Sequence, residues 1–164
     1  MTESAPEPLY SVDSSAFMDW QARFYPIDVF TGIVARVETL IAAQRFLAPA
    51  LVKEALGVVG TGDLIAWADT HPAIFVPTRE LPVEAQTIQS RFPGLRDPKA
   101  EFEEADAYVI ALARLRGGSV ITQETPAAEK RNPRRSHFIP DVCREMGVPC
   151  FNLLGLMRRE NWTL

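Results

Sequence analysis

The stretch "LYSVDSSAF", residues 9–17, runs from an apolar segment through Asp13 into a second apolar segment. The segment "PLYSV" (8–12) predicts a short buried strand that ends at Asp13, and "SAFMDWQARF" (15–24) predicts a helix directly after it. Asp13 therefore has two interpretations. It is an N-cap for that helix, a position that aspartate often fills, or it is a carboxylate held at a sheet edge for chemistry. Taken alone, Asp13 favours the cap.

The same alternation of strand and helix continues along the chain. Further strands are predicted at 45–48, 73–77, 119–122 and 148–152. Further helices are predicted at 26–44 with Asp28 as N-cap, and at 49–56, 62–70, 82–92, 99–116, 139–146 and 153–161. This order predicts an α/β fold of three α/β/α layers, with a mainly parallel sheet of four to five strands. Ligands bind such sheets outside the carboxyl ends of the strands.

Composition favours one globular domain and excludes several classes. The chain has 164 residues with a 47% apolar fraction, which predicts a single domain at 9–164. Residues 1–8 lack an apolar stretch and are predicted to be a flexible tail. No stretch approaches the roughly 18 apolar residues of a membrane helix, so we expect a cytoplasmic protein. The net charge of −4 does not by itself indicate a nucleic-acid binder.

Cysteine and histidine are too scarce to dominate a site. Cys143 and Cys150 are expected to be buried reduced thiols rather than a disulfide or a zinc cluster. The two histidines, His71 and His137, leave little material for a histidine-based metal site or triad. Any catalysis must therefore use carboxylates.

Asp106 is the most informative acid. Helical rotation places it on an apolar stripe rather than on a solvated face. The stripe consists of Phe102, Val109, Ile110 and Ala113. Glu101 and Glu104 suit an exposed first turn, where they complement the helix dipole. A buried carboxylate needs a partner or a cation, and we favour the cation for Asp106 over a core arginine or backbone donors.

Two further acids follow predicted strands. Glu124 closes "SVITQE" (119–124), and the hydroxyl of Thr122 is expected to face the same edge; a solvated loop residue is the simpler interpretation of Glu124. Glu54 lies off the apolar stripe of its helix, early after the second strand. Carboxylates gathered at one sheet edge repel unless a hard divalent cation such as Mg²⁺ or Mn²⁺ binds them. Such a pocket suits phosphodiester cleavage.

Four motifs resemble the acidic motifs of PIN-domain ribonucleases, the fold of VapC-type toxins. They are "YSVDSSAF" (10–17), "VKEAL" (52–56), "EEADAYVIALA" (103–113) and "VITQE" (120–124). The segment "IPDVCREMGV" (139–148) resembles a less characterised PIN-like branch. The resemblance extends from Leu9 to the final helix.

The resemblance implies a metal-dependent endoribonuclease acting on single-stranded RNA. Asp13, Asp106 and Glu124 would be ligands of Mg²⁺ or Mn²⁺, and Glu54 a ligand or the group that orients water. Ser14 or Ser15 would cap the first helix and leave Asp13 free. The family usually has Asp where Glu124 stands, so the metal would sit differently or a second metal site would be weaker. The resemblance also implies an antitoxin partner and a plausible homodimer.

The loop "EKRNPRR" (129–135) is strongly basic. Lys130, Arg131, Arg134 and Arg135 are predicted either to clamp the nucleic-acid backbone or to form an ordinary solvated loop; the residues leave both open. The aromatic residues Trp20, Phe24 and Tyr25 are expected in the core rather than stacking on bases.

Two other functions remain alternatives on the same fold. One is a catalytically weak or inactive PIN-like module that binds RNA or protein. The other is a structure-specific DNA nuclease.

Overall fold

A computed structural model describes residues 5–100 and 104–164 of the chain. Its centre is a five-stranded sheet in the order β3-β2-β1-β4-β5, with every pair of neighbours parallel. The strands are β1 (Tyr10–Val12), β2 (Phe46–Pro49), β3 (Phe75–Val76), β4 (Ser119–Ile121) and β5 (Cys150–Phe151). Helices flank this sheet as in a three-layer α/β/α fold, which confirms the predicted class.

In the described ranges, seven α-helices lie between the strands and an eighth follows β5. They are α1 (Ser14–Met18), α2 (Thr31–Ala42), α3 (Ala50–Val59), α4 (Gly62–Asp69), α5 (Pro82–Arg91), α6 (Asp106–Arg116), α7 (Ile139–Met146) and α8 (Leu153–Arg159). A π-helical turn, Asp19–Arg23, continues α1. Within the described ranges, none of the helices has the length and apolar character needed to cross a membrane.

The strand order creates a switch point between β1 and β4. The chain leaves β1 towards β2 on one side and leaves β4 towards β5 on the other. Tyr10 pairs with Ser119 and Val12 with Ile121, so the two strands end at the same level. In open parallel sheets, the crevice at such a point is where ligands bind.

Two predicted helix starts were wrong. The helix predicted from residue 26 begins at Thr31, because the N–H groups of Val29 and Phe30 donate to the carbonyl of Pro26 and close a separate turn. Asp28 is therefore not its N-cap. The helix predicted from residue 99 begins at Asp106, and residues 101–103 of that prediction lie outside the described ranges.

The core fills both faces of the sheet, and α6 is its most buried helix, with every residue from Ala107 to Ala113 buried. Trp20 is buried as expected, but Phe24 is 57% exposed, which contradicts its predicted core position. Cys143 is a free, buried cysteine, whereas Cys150 is free but only half-buried, which contradicts its predicted burial.

An ion-pair cluster fixes the opposite, amino edge of the sheet. Glu160, just after α8, accepts hydrogen bonds from the Tyr10 hydroxyl and, at 2.6 Å, from Arg45. The Arg45 Nε atom also donates to the carbonyl of Pro8 at 2.6 Å. Burial and then the Glu160 carboxylate raise the pKa of Tyr10 above its usual range. This cluster attaches the start of β1 and β2 to the C-terminal helix.

The Glu160→Ala variant is expected to lose about 3 kcal/mol of unfolding free energy, because it leaves a largely buried arginine and a buried hydroxyl without their acceptor. Urea denaturation measures the loss. Glu129→Ala, in an exposed loop, is the control and should change stability little. A loss in Glu160→Ala no larger than in that control would contradict the role of the cluster.

Candidate active site

Asp13 lies directly after β1, at the switch point. Its N–H donates to the carbonyl of Ile121 at 2.9 Å, so it extends the pairing of β1 with β4. The side chain is almost fully buried, and its Oδ2 accepts hydrogen bonds from Ser15 Oγ at 2.7 Å and Thr122 Oγ1 at 3.0 Å. These two bonds hold the carboxylate at the carboxyl edge of the sheet.

The N-cap position of α1 is occupied by Asp13, but its side chain makes no capping hydrogen bond. The division of roles predicted for the serines was also wrong. Ser15 Oγ donates to Asp13 and accepts from the N–H of Gln123 at 3.0 Å, so it bridges two segments of the site rather than capping α1. Ser14 lines a cavity beside the site.

The segment after β4 brings Glu124 to the same edge. Thr122 Oγ1 accepts from the N–H of Glu124 at 3.1 Å while it donates to Asp13, which confirms that this hydroxyl faces the site. The Glu124 side chain is only 19% exposed, and its Oε2 accepts from the N–H of Ile139 at 3.1 Å. Glu124 is therefore a held carboxylate and not a solvated loop residue.

Gln123 fixes this segment from the other side, a role that its sequence position does not indicate. Its Nε2 donates to Asp19 Oδ2 at 3.1 Å, and its Oε1 accepts from the N–H of Leu153 at 2.7 Å. The exit of β4 is thereby attached to the π-helical turn and to α8. Gln123 and Asp19 thus support the site from outside the group of converging acids.

Asp106 opens α6 with a side chain that is 16% exposed. Val109, Ile110 and Ala113 on the predicted stripe are fully buried, and Phe102 lies outside the described residues. Burial raises the pKa of Asp106 well above its ordinary value, and the nearby charges of Glu124 and Asp13 raise it further. Asp106 therefore lies within the electrostatic influence of both other acids with which it was predicted to converge, Asp13 and Glu124.

The pKa of Glu124 is raised in the same way, first by burial and then by the charge of Asp13. The N–H of Ile139 and the Arg135 guanidinium oppose the rise, because both favour the ionised carboxylate. The acid cluster, defined here as Asp13, Asp106 and Glu124, is therefore short of positive charge.

Arg135 supplies positive charge to the acid cluster. Its Nη1 donates to Asp106 Oδ2 at 2.6 Å, and its Nη2 donates to Glu124 Oε1 at 3.3 Å. Nη1 also donates to the carbonyl of Leu95 at 3.0 Å, and the guanidinium lies 4.4 Å from the ring centre of Phe138. Only 15% of the side chain is exposed. Arg135 therefore points into the site and bridges two acids from different elements.

Glu104 also belongs to this site, although it was predicted on an exposed first turn. Its Oε1 accepts from the N–H of Asp97 at 3.0 Å, and its Oε2 lies 3.7 Å from Arg135 Nη1. The helix begins at Asp106 rather than at residue 99, so Glu104 sits in the loop that enters α6. In the sequence, its position two residues before Asp106 was the signal that could have placed Glu104 in the site.

The remaining basic residues lie in the same loop but not in the cluster. Arg131 and Arg134 are exposed. Lys130 is half-buried, with its Nζ 3.2 Å from Thr125 Oγ1 and 4.4 Å from the ring centre of Phe138. The predicted basic loop thus combines exposed cations at the surface with Arg135 inside the site.

A cavity of about 600 Å³ opens beside Asp106. One side is apolar and is formed by Leu51, Ala55 and Val58 of α3. The charged side consists of Glu54, Glu104, Asp106 and Arg135. Glu54 is exposed on α3 and faces this cavity, whereas Asp13 and Glu124 lie outside its lining. The structure thus places the fourth predicted carboxylate at the entrance rather than within the acid cluster.

The donor chemistry of the acid cluster fits a hard divalent cation, since its side chains present carboxylate oxygens in charge excess. In residues 5–100 and 104–164, however, no group of three or more acids, histidines or cysteines is arranged closely enough to hold a metal ion. Asp106, Glu124 and Glu104 are instead arranged around the Arg135 guanidinium. The types of ligand atom therefore suit a metal ion, whereas their spacing suits a guanidinium, because a guanidinium needs more space between its acceptors than a metal ion does.

The Asp106→Asn variant is expected to be more stable than the wild type at pH 7.5, by on the order of 1 kcal/mol. The folded state raises the pKa of Asp106, so the ionised carboxylate destabilises the fold and stability falls as pH rises from about 4 towards the raised value. Asparagine keeps an acceptor for Arg135 without the charge.

Urea denaturation at pH 3.5 and 7.5 measures this effect. The gain should largely disappear at pH 3.5, where Asp106 is mostly protonated in both the folded and the unfolded wild type. Asp28→Asn, at an exposed position, should change little at either pH. A less stable Asp106→Asn at pH 7.5 would show that the Arg135 ion pair outweighs the charge excess.

The sequence was also compared with known proteins. A family model described as "Domain of unknown function (DUF4411)" matches residues 10–164. Searches of curated proteins and of solved structures return no match. The family match begins in β1 and includes every strand, every helix and every acid of the site. The chain therefore belongs to the DUF4411 family.

Proposed function

We propose that this protein is a metal-dependent endoribonuclease with a PIN-like site. The observation that carries the proposal is the acid cluster: Asp13, Asp106 and Glu124 come from three separate elements, Arg135 bridges the last two, and the charge of Asp13 raises the pKa of both other acids. Buried carboxylates in charge excess are costly to a fold. Their presence at the switch point of a parallel sheet favours a catalytic role over a structural one.

In this proposal, Asp13, Asp106 and Glu124 hold Mg²⁺ or Mn²⁺. A bound cation of this kind lowers the pKa of a water molecule and neutralises charge on phosphoryl oxygens. Ser15 and Thr122 orient Asp13, and the N–H of Ile139 orients Glu124. These contacts pre-set two carboxylates, so that little reorganisation precedes substrate binding.

Glu54 acts at the cavity entrance. It is exposed on α3 and lines the same cavity as Asp106. From there its carboxylate would orient the attacking water or would serve as a further ligand of the cation.

The exposed part of the basic loop binds the substrate backbone. Arg131 and Arg134 are exposed, and Lys130 is half-buried beside them. Their charges offset the repulsion between an RNA phosphate chain and the acid cluster. Because such contacts read phosphate rather than bases, they fix the position of the RNA without selecting its sequence.

The choice of single-stranded RNA, and of a cytoplasmic toxin inhibited by an antitoxin, rests on the motif resemblance of the acids and of "IPDVCREMGV". Expression of the wild type should arrest growth, and Asp13→Asn should relieve the arrest. A neighbouring gene product that restores growth would be the antitoxin.

Cleavage of an end-labelled single-stranded RNA with and without Mn²⁺ tests the proposal. The wild type should cleave only with Mn²⁺, leaving a 5′-phosphate and a 3′-hydroxyl. Asp13→Asn and Asp106→Asn should each reduce the rate at least about 100-fold, because each removes charge that stabilises the transition state. Asp28→Asn, an exposed acid, should cleave as the wild type does.

Three outcomes would reject or redirect the proposal. Cleavage that persists without metal, or that survives Asp106→Asn, would exclude this site as its source. Preferred cleavage of a flapped DNA duplex over RNA would indicate a DNA nuclease. A folded protein that binds RNA and never cleaves it would indicate a binding module.

A further inference from the structure

We propose that Arg135 is an internal counter-cation of the acid cluster, and that a divalent cation must displace its guanidinium before the site becomes active. The inference rests on the proposed function for the identity of the incoming cation. It assigns to this chain a closed state, in which Arg135 bridges Asp106 and Glu124, and an open state, in which those oxygens are free for coordination.

The contacts of Arg135 define the closed state. Two different nitrogens of one guanidinium donate to two different carboxylates, at 2.6 Å to Asp106 and 3.3 Å to Glu124. The oxygens that accept these bonds belong to two of the three proposed ligands. While they face the guanidinium, they do not converge on one metal-sized point, in agreement with the geometry of the described residues.

The balance of charge favours exchange. One guanidinium faces Asp106, Glu124 and Glu104, and the charge of Asp13 also acts on two of these acids, so the closed state leaves negative charge uncompensated. A divalent ion brings twice the charge and accepts oxygen ligands at about 2.0–2.1 Å for Mg²⁺. The cation therefore gains from the same carboxylates more than Arg135 does, and the two compete directly.

The position of Arg135 in the chain allows it to leave. Residues 130–138 contain neither helix nor strand. Both ends of the loop are held by one buried acid, since Asp141 Oδ2 accepts from the N–H groups of Ala127 and Phe138, each at 2.9 Å. The loop between these anchors is able to rearrange while β4 and α7 stay in place.

The exchange gives Arg135 one role in the closed state and a second role in the open state. In the closed state Arg135 neutralises the cluster, and in the open state it joins Arg131 and Arg134, which are already exposed. A guanidinium released there faces an incoming phosphate and can bind it with two parallel hydrogen bonds. Metal binding thus converts an internal ion pair into a substrate contact.

Calorimetric titration with Mn²⁺, on protein without RNA, tests the competition. Arg135→Met should bind Mn²⁺ about 10-fold or more tightly than the wild type, because the closed state no longer has to be broken. Arg131→Met is the matched control: it removes the same charge from the same loop, at an exposed position, and should bind as the wild type does. Arg135→Lys keeps the positive charge but loses the planar guanidinium that bonds two carboxylates at once, so its Mn²⁺ affinity should fall between those of Arg135→Met and Arg131→Met.

A second measurement uses the unaltered chain and so does not depend on whether a variant folds. In protein labelled with ¹⁵N-arginine, the side-chain signal of Arg135, identified by its loss in Arg135→Lys, should shift on titration with Mg²⁺. The signals of Arg131 and Arg134 should move much less. Saturation of the Arg135 shift should follow the binding isotherm.

The results separate this inference from the proposed function. Equal or weaker Mn²⁺ binding by Arg135→Met than by Arg131→Met, or an Arg135 signal unmoved by Mg²⁺, would overturn the competition. If neither the wild type nor Arg135→Met binds Mn²⁺, both proposals fail. Tighter binding by Arg135→Met in a protein that cleaves no RNA would support the exchange and reject the nuclease.

Discussion

The pairing of β1 with both β2 and β4 is the constraint on which the site depends. Because β1 lies in the middle of the sheet and the chain leaves it and β4 in opposite directions, the ends of these two strands form a crevice. The hydrogen bond from the N–H of Asp13 to Ile121 fixes that register. Thr122 and Glu124, which follow β4, therefore lie beside Asp13. Asp106, the first residue of α6, reaches the same edge of the sheet.

The two edges of the sheet treat buried charge differently. At the amino edge, Glu160 has an arginine and a tyrosine as partners, so its charge is compensated and contributes to stability. At the carboxyl edge, several carboxylates share the single guanidinium of Arg135, and burial raises the pKa of Asp106 and Glu124. A fold that gains stability at one edge thus tolerates a destabilising cluster at the other, as functional sites commonly do.

Sequence patterns located much of the fold and of the site. The bounds predicted for α7, 139–146, match the structure, because an apolar period and Gly147 mark them. Asp13 and Glu124 followed from strand ends, and Asp106 from helical rotation. The start of α2 was wrong because Pro26 closes a turn that periodicity does not reveal. Glu104 was misplaced because its partners, Asp97 and Arg135, meet it through loop contacts.

The amino-acid sequence alone determined the α/β class, the alternation of strands and helices, and which acids stand at strand ends. These features depend only on hydrophobic periodicity and on neighbours within a few residues. The orientation of Arg135 was decided only by the tertiary structure. Four basic residues share one loop and look alike in sequence. Their difference arises because Leu95, Phe138 and two carboxylates from separate elements surround one of them. Long-range packing therefore selects which cation enters the site, because burial makes an unpaired carboxylate far more costly than an exposed one.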